Sequence, residues 1–169
     1  YSSLYGISTT GLRFFTVYGP WGRPDMALFI FTKAIYEGKS IDVFNNGDMM
    51  RDFTYVDDIV EGVKNVILKP SEPNKSWDAK IHQPSSSMSP FKVYNIGNNA
   101  PVSLGDFILA IEKATGLKAN INYLPMQLGD VKATHANVSN LIKDFNFNPS
   151  TPLQEGVNRF IEWYKSYYL

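Results

Sequence analysis

Two arginines occupy positions where an anionic ligand could be bound. Arg23 lies between Gly22 and Pro24, in a loop that directly follows an apolar, β-rich run, and Arg51 opens a second β-rich run. The planar guanidinium group suits a bidentate contact with a carboxylate or a phosphate. Position alone favours a simpler interpretation of both residues, a surface arginine or an ion pair with a nearby aspartate, because such pairs are common.

Three further residues could contact a ligand, and each has a simpler structural explanation. Thr16 lies near the carboxyl end of the first β-rich run, the edge at which open α/β sheets bind ligands, but it also suits an ordinary strand position. Phe44 precedes a polar turn and could stack on a base, although core packing is the more common use of such a ring. Asp130 follows Gly129 and could accept hydrogen bonds from sugar hydroxyls, or it could simply form a turn.

The sequence contains none of the compact motifs that mark a complete catalytic centre. No G-x-G-x-x-G or G-x-x-G-x-x-G run follows a strand, and there is no P-loop or nucleophile elbow. The absence of Cys excludes a disulfide scaffold, a thiol nucleophile and a zinc–thiolate site. His82, expected to be exposed in a long polar loop, and His135 have no partner at a metal-ligand spacing, so no metal is expected. The residues alone indicate a ligand-binding chain without an evident catalytic centre.

Length and charge narrow the class of protein further. The 169 residues carry 16 Lys+Arg and 16 Asp+Glu, a net charge of zero that argues against non-specific binding of nucleic acid or of acidic membranes. With 44% hydrophobic and 19% charged residues the chain is globular. No apolar run approaches the roughly 20 residues of a membrane span, and no signal peptide is expected.

The elements that must position these residues alternate between strand and helix, which predicts an α/β fold. Residues 11–18 have the pattern of a strand buried on both faces of a parallel sheet. Asp25 is predicted to cap the next helix, which Gly38 ends. A buried parallel strand needs a neighbour on each edge, and no strand precedes this one. The sequence is therefore expected to be the C-terminal part of a larger protein.

The middle of the chain is predicted to reverse direction. Strands at 41–44 and 51–55 flank the turn signal Asn45-Asn46-Gly47-Asp48, and Asp57 or Asp58 is predicted to cap the helix that follows. The buried side of that helix is expected to contain Ile59, Val60, Val63, Val66 and Ile67. The other expected elements are a helix end at 1–5 with Gly6 as its C-cap, a surface loop at 70–90, a strand at 91–96, a helix from its cap Ser103 to about Thr115 with Gly116 after it, a strand at 121–124, and helices at 138–145 and 153–167.

Five segments together resemble one family. Residues 12–27, from Leu12-Arg13-Phe14 to Asp25-Met26-Ala27, resemble the strand and loop after the catalytic helix of extended short-chain dehydrogenases/reductases (SDRs). The amino acids in this segment are most similar to those of bacterial UDP-glucuronate 4-epimerases from capsule and lipopolysaccharide pathways. Residues 51–60 are similar to the R-D-F-x-Y-V-D-D-x-V signature of the extended class. The other three matching segments are residues 94–98, residues 129–134 and the loop around Trp77-Asp78, which resembles an insertion of the glucuronate epimerases.

The resemblance implies both a fold and an activity. Residues 1–169 would be the C-terminal UDP-sugar-binding portion of a Rossmann-like extended SDR fold, a small mixed α/β substrate domain with the last strands and helices of the nucleotide-binding domain. The parent would be a cytoplasmic, NAD-dependent isomerase that interconverts UDP-glucuronate and UDP-galacturonate through a 4-keto intermediate. In the family, the glycine-rich loop and the catalytic Tyr-x-x-x-Lys pair precede the equivalent of Tyr1. The fragment alone is therefore expected to be inactive, and the usual homodimer would form through the missing half.

The resemblance also assigns roles at the sugar and pyrophosphate end of the ligand. Phe15 would lie beside the nicotinamide of NAD. Thr16 and Arg23 would hold the sugar, with Arg23 facing the glucuronate carboxylate. Backbone N–H groups of Ala27 and Leu28, at a helix start, would bind the pyrophosphate.

Further roles fall on the nucleoside end of the ligand. Arg51 would bind the diphosphate, and Asp130 would accept hydrogen bonds from the ribose hydroxyls. Gln127 stands where UDP-galactose 4-epimerases often have Arg, and a glutamine is compatible with the glucuronate branch; Asn137 stands where aspartate is usual, which is expected to affect packing only. Three consecutive residues would line the uracil pocket, with the backbone contacting the base edge: Asp42, Val43 and Phe44.

Two other functions fit the same motifs. A nucleotide-sugar 4,6-dehydratase or decarboxylase shares the signature at 51–60, and a non-catalytic UDP-binding domain would also need these residues. Isolated residues 1–169 of the epimerase are expected to be only marginally stable, because the strand at 12–18 would lose its sheet neighbours and expose apolar area worth about 25 cal/mol per Å².

Overall fold

The computed structural model describes residues 1–81 and 83–169, so His82 lies outside the described residues. Its helices are α1 (Ser2–Tyr5), α2 (Ala27–Tyr36), α3 (Val56–Leu68), α4 (Leu104–Thr115), α5 (Ser139–Phe145) and α6 (Leu153–Tyr168), with short 3₁₀ segments at Phe44–Gly47 and Ala79–Ile81. Its strands are β1 (Thr9–Phe14), β2 (Thr16–Tyr18), β3 (Ser40–Val43), β4 (Met50–Arg51), β5 (Phe53–Tyr55), β6 (Phe91–Ile96), β7 (Val102–Ser103) and β8 (Asn120–Tyr123).

The strands form four pairs, and three of the four are parallel. β1 pairs with β6, β2 with β5 and β3 with β8 in parallel, whereas β4 and β7 pair antiparallel. Helices lie between successive parallel strands, so the expected α/β class is confirmed. None of the helices in the described ranges is long and apolar enough to cross a membrane.

The first strand differs from its prediction. Residues 11–18 were expected to form one strand buried on both faces, but the strand breaks at Phe15, whose N–H donates to the carbonyl of Ile96 at 3.1 Å. The break marks a change of partner, from β6 before it to β5 after it. β1 itself is half-buried to exposed, and Phe14 is 50% exposed. The reason is that, within the part of the chain described, β1 is paired along one edge only.

The chain reversal predicted at residues 41–55 is wrong. β3 pairs in parallel with β8, so that Ile41 lies opposite Ile121, eighty residues away in sequence. The turn residues Asn45 and Asn46 both have φ of 50° within a 3₁₀ segment, which directs the chain away from a hairpin. The predicted strand at 51–55 is also divided, into β4 and β5, because the two parts pair with different strands, β7 and β2, on either side of the buried Asp52.

Local capping signals identify three helix ends correctly. The hydroxyl of Ser103 accepts a hydrogen bond from the N–H of Asp106 at 3.0 Å and begins α4. Gly116 ends α4 with φ of 74°, and Gly6 ends α1 with φ of 66°, both left-handed conformations that glycine adopts without a steric cost.

The acidic caps predicted for α2 and α3 are wrong. Met26 precedes α2, and Asp25 instead pairs with Arg23. Helix α3 begins one residue before the two predicted caps, so Asp57 and Asp58 lie in its first turn, where their charge still favours the helix dipole.

The buried side of α3 was only partly predicted. Ile59 and Val66 are buried as expected, and Val63 is partly buried, but Val60 is 59% and Ile67 70% exposed. Gly62 lies on the buried face instead, where a Cβ atom would come within 3.1 Å of Ile96. The helix therefore approaches β6 through a glycine, which rotates Val60 and Ile67 toward solvent.

Two hydrophobic cores organise the molecule. The larger core contains the buried residues of β2, α2, β3, β5, α4 and α6. The smaller core contains the buried residues of α3, β6 and α5, together with Ala136 and Val138. Helices enclose the larger core, whereas β1 borders the smaller one.

A buried carboxylate joins the segments between the two cores. Asp52 is 0% exposed, and its oxygens accept hydrogen bonds from the backbone N–H groups of Asn98 (3.0 Å), Asn99 (3.1 Å) and Ala136 (2.8 Å). Three such bonds satisfy a carboxylate that would otherwise be costly to bury. Asp52 thereby fixes the turn after β6 and the approach to α5.

Candidate functional site

A cavity of about 660 Å³, here called the main pocket, opens between α2, β3 and the segment at 127–130. Its wall includes apolar residues of α2, β5 and α4, such as Ile30, Phe31, Phe53 and Leu104. Seven of the residues predicted to bind a ligand line this one cavity: Thr16, Ala27, Asp42, Phe44, Arg51, Gln127 and Asp130. They come from six different parts of the fold, so their convergence is a property of the tertiary structure.

Arg51 and Asp130 form an ion pair in the wall of the main pocket. The Nη2 of Arg51 lies 2.8 Å from the Oδ1 of Asp130, and the two side chains are 20% and 33% exposed. Arg51 also donates through Nη1 to the carbonyls of Met50 (2.9 Å) and Lys132 (3.3 Å). Within the described residues, these contacts engage three of the five guanidinium N–H groups, so donors remain for an incoming anion.

A second cavity of about 440 Å³, here called the side cavity, adjoins the main pocket and shares Thr16 and Met26 with it. Phe15 and Arg23, the predicted contacts of the nicotinamide and the sugar, both line the side cavity. Nine of the eleven predicted site residues therefore lie in two adjoining cavities.

Arg23 lies on the exposed rim of the side cavity and is paired within its own loop. Its Nη2 is 2.5 Å and its Nε 3.1 Å from the carboxylate oxygens of Asp25. The hydrogen bond from Arg23 holds the pKa of Asp25 below its usual value. Since Asp25 lines the main pocket, the pair lies where the two cavities meet. Both arginines thus form ion pairs, the simpler interpretation from sequence, and both pairs also border cavities.

The other two predicted residues face away from the cavities. Leu28 is 4% and Val43 is 1% exposed, and both side chains pack in the larger core. Any contact they make with a ligand must therefore come from the backbone. The first turn of α2, residues 27–30, is apolar, and the positive end of its dipole faces the main pocket through Ala27.

Sequence reasoning missed the apolar wall of the main pocket. Met49, Phe53 and Leu104 carry no signal that separates a pocket wall from an ordinary core position.

His135 contacts Asn99, with its Nε2 2.7 Å from the amide oxygen. Over the ranges that the structure describes, no three acidic or histidine side chains are grouped closely enough to hold a metal ion.

Comparison with known proteins assigns the chain to a family. The model of a family described as "NAD dependent epimerase/dehydratase family" matches residues 1–97, more than half of the chain. The chain belongs to this family. The α/β arrangement is therefore that of an extended SDR, as the sequence motifs implied.

Two relatives of the family are similar over nearly all of the chain. Protein CapI of Staphylococcus aureus is 59% identical over 168 residues, and a probable UDP-glucuronate 4-epimerase of Rhizobium meliloti is 48% identical over 169 residues. Each alignment covers 99% of this chain and 50% of the relative. The chain thus spans about half the length of the curated relatives it matches.

A solved structure shares the fold. The UDP-glucuronic acid 4-epimerase of Bacillus cereus, in complex with UDP-glucuronic acid and NAD, superimposes with a TM-score of 0.80 at 30% sequence identity. The match covers 98% of this chain and 48% of that chain.

Proposed function

We propose that residues 1–169 form the C-terminal UDP-sugar-binding portion of an NAD-dependent 4-epimerase that interconverts UDP-glucuronate and UDP-galacturonate. The observation that carries this proposal is the pair of adjoining cavities, each with one arginine at its wall or rim. A UDP-linked sugar acid has two anionic groups, a diphosphate and a carboxylate, and Arg51 and Arg23 offer one guanidinium fork to each. The relative from Rhizobium meliloti, a probable UDP-glucuronate 4-epimerase, supports the same substrate class.

The main pocket suits the UDP part of such a ligand. Arg51 and the N-terminus of α2 would bind the diphosphate, with the backbone of Leu28 contributing beside that of Ala27. Asp130 would then exchange its ion pair with Arg51 for the ribose hydroxyls. We assign the uracil to the wall formed by Asp42 and Phe44, with the backbone of Val43 between them and Gln127 facing the same ligand.

The side cavity suits the sugar. Thr16 would donate to a sugar hydroxyl, and Arg23 would bind the carboxylate. Held at both ends, the sugar is positioned by this chain while the groups that react with it come from elsewhere in the protein. Orientation of the sugar, rather than proton transfer, is the contribution of these residues.

A bound NAD would supply the reversible hydride transfer at the sugar C4. Within this chain, Phe15 fits the nicotinamide end of such a cofactor, because its ring forms an apolar wall of the side cavity next to Gly97. A Cβ atom on Gly97 would lie 3.4 Å from the Phe15 ring. The ring of Phe15 would therefore form one wall of the nicotinamide site and exclude water from it.

We further propose that the phosphate loop for NAD and the catalytic acid/base lie outside residues 1–169. The isolated chain then shows no epimerase activity when NAD and UDP-glucuronate are added, whereas measurable turnover would contradict this assignment. The parent is proposed to be a cytoplasmic homodimer that associates through the remaining part of the protein. Size-exclusion chromatography of the complete protein and of residues 1–169 tests the dimer assignment.

The carboxylate role of Arg23 is tested in the complete enzyme. Arg23→Ala is expected to lower the affinity for UDP-glucuronate about 10–100-fold, the range for one charge-assisted contact, and to leave the affinity for UDP unchanged. Arg23→Lys keeps the charge without the guanidinium fork, so its affinity for UDP-glucuronate should lie between those of the wild type and Arg23→Ala. Lys39→Ala controls for the loss of one positive charge. Calorimetry with both ligands measures the effect, and an unchanged affinity of Arg23→Ala for UDP-glucuronate would contradict the role.

Product analysis of the same enzyme separates the other candidate activities. Conversion of UDP-glucuronate to UDP-galacturonate supports the epimerase. A 4-keto-6-deoxy product would indicate a dehydratase, and released CO₂ a decarboxylase. UDP binding by the complete protein without any product would leave the non-catalytic function.

A further inference from the structure

Trp21 has an unusual conformation for a large residue. It lies in the loop between β2 and α2, and its φ is 62°, in the left-handed region that residues with a Cβ atom rarely adopt. Its ring packs against two aromatic residues of α6, with centroid distances of 5.2 Å to Trp163 and 5.0 Å to Tyr167. A disfavoured backbone conformation persists only where surrounding contacts hold it.

The beginning of this loop is a tight turn built on two glycines. The N–H of Gly22 donates to the carbonyl of Gly19 at 3.1 Å, and a Cβ atom on Gly22 would lie 2.9 Å from that same carbonyl oxygen. Gly19 has φ of 142°, and a Cβ atom there would lie 2.7 Å from Val56. The two glycines permit the turn but have no side chains with which to fix it.

Arg23 follows Trp21 by two residues, and its own contacts do not fix the loop to the body of the protein. Its ion-pair partner is Asp25, which belongs to the same loop, so the pair joins the loop to no other element. Its carbonyl accepts from the N–H of Met26 at 3.2 Å, which ties the end of the loop to α2. The aromatic contact of Trp21 ties the other end to a different helix, α6.

We propose that Trp21 is a positioning residue for Arg23, and that its packing on α6 makes recognition of an acidic sugar depend on the C-terminal helix. This inference rests on the proposed contact between Arg23 and the sugar carboxylate. Trp21 packs against Trp163 in a tilted geometry and against Tyr167 edge-on, and so fixes residues 19–23 at the rim of the side cavity. Arg23 then meets the carboxylate without first being ordered, which saves the cost of immobilising the loop.

A purely structural role fits the same residues less well. Trp21 is 71% exposed and Tyr167 is 58% exposed, so their contact lies outside the larger core. Removing the Trp21 ring therefore opens no cavity in that core. Its loss should change where the loop lies rather than whether the protein folds.

The test uses the complete enzyme and two ligands that differ by the carboxylate, UDP-glucuronate and UDP-glucose. Trp21→Ala is expected to weaken UDP-glucuronate binding about tenfold and UDP-glucose binding less than about twofold, with kcat for UDP-glucuronate nearly unchanged. Trp21→Phe retains a ring and the same Cβ, so it should restore most of the preference. Tyr5→Ala removes an exposed ring that packs on Tyr1, away from α6 and the loop, and it should leave the preference unchanged.

Arg23→Ala in the same series separates failure of this inference from failure of the proposed function. If Arg23→Ala removes the preference for the carboxylate but Trp21→Ala does not, the positioning role is wrong and the role of Arg23 stands. If neither variant changes the preference, the carboxylate role is wrong, and hydrogen exchange of residues 19–26 without ligand decides whether Trp21 fixes the loop. Faster exchange in Trp21→Ala than in Trp21→Phe supports the anchoring, and equal exchange overturns it.

Discussion

The larger and the smaller core bury their side chains in different ways. In the larger core, helices α2, α4 and α6 enclose the strands, and the ring of Phe107 stacks on Phe53 with a centroid distance of 4.0 Å. In the smaller core, Ile96 and Leu141 are fully buried, but the adjoining strand β1 leaves Phe14 50% exposed. Three helices cover the strands of one region, and the other is bordered by a strand that is half-buried to exposed.

The difference shows that the main pocket lies on the larger core, the region whose strands are better covered by helices of this chain. Five of its wall residues, Leu104 and Phe31 among them, themselves pack in the larger core. The exposed side chains of β1 and α3, such as Phe14, Val60 and Ile67, border the smaller core, where additional cover would remove apolar surface from water. We therefore expect ligand-site geometry to be robust and the β1–β6 region to open first.

The largest effect is expected from deleting a ring of the larger core. Phe107→Ala should lower the free energy of unfolding by about 3–5 kcal/mol, because the rigid surroundings cannot close over the cavity. Leu141→Ala, at an equally buried position of the smaller core, should cost about 2 kcal/mol, the low end for such changes, because a region bordered by solvent relaxes more easily. Urea denaturation measures both values, and equal costs would remove the distinction between the cores.

An intermediate effect is expected at the junction between the cores. A Cβ atom on Gly97 would lie 2.3 Å from the Cβ of Ala136, so Gly97→Ala should destabilise the protein by about 1–3 kcal/mol through overpacking. Gly105→Ala is the matched control, because its new methyl group would meet nothing closer than the Ser103 hydroxyl at 3.8 Å. This control should stabilise α4 by up to about 1 kcal/mol. The contrast fails if both variants shift the urea midpoint in the same direction.

The smallest effect is expected from pH at the edge of the smaller core. Burial acts to raise the pKa of Asp144, but hydrogen bonds from Lys92 (2.8 Å) and Tyr94 (2.7 Å) outweigh it and lower that pKa. A lowered pKa stabilises the folded state above the unfolded pKa, and this stability is lost as pH falls through the folded value. Asp144→Asn should therefore cost about 1 kcal/mol at neutral pH and reduce the loss of stability on acidification.

Asp25 supplies the control for this pH effect. The pKa of Asp25 is also lowered, by the hydrogen bond from Arg23, but the pair is mostly exposed and screened by solvent, so Asp25→Asn should leave the pH dependence of stability unchanged. Denaturation at about pH 3 and pH 7 compares the two variants. An equal effect of Asp25→Asn would mean that burial at the smaller core does not matter.

How much of the fold could be predicted depended on how local each signal is. Helix α4 could be placed because Ser103 and Gly116 act on backbone groups within a few residues of themselves. The partner of β3 could not be predicted. The Asn45-Asn46 turn suits a hairpin with the next strand, whereas the true partner, β8, lies about eighty residues later and leaves no local signal. The acidic caps failed since a carboxylate can serve a cap, a first turn or an ion pair, and only the tertiary structure decides.

The candidate site was predictable mainly from motifs. Thr16, Arg51 and Asp130 were candidates from their residue types and positions, the resemblance to family segments gave them roles, and the structure places all three at one cavity. The ion pair between Arg51 and Asp130 joins residues 79 apart, which no spacing rule could give. Trp21 was missed for a related reason, because its partners lie on a helix more than 140 residues later.

The parallel pairing of β3 with β8 also dictates the order in which the molecule can be completed. During synthesis, β3 leaves the ribosome with one wall of the main pocket, but Asn120–Tyr123, Gln127 and Asp130 follow only after most of the chain has been made. Such distant contacts form late and slowly, since a long loop must close first. Until then β3 is an unpaired edge of buried residues, a template for wrong association. Chains interrupted before residue 120 are therefore the species that a chaperone would need to protect.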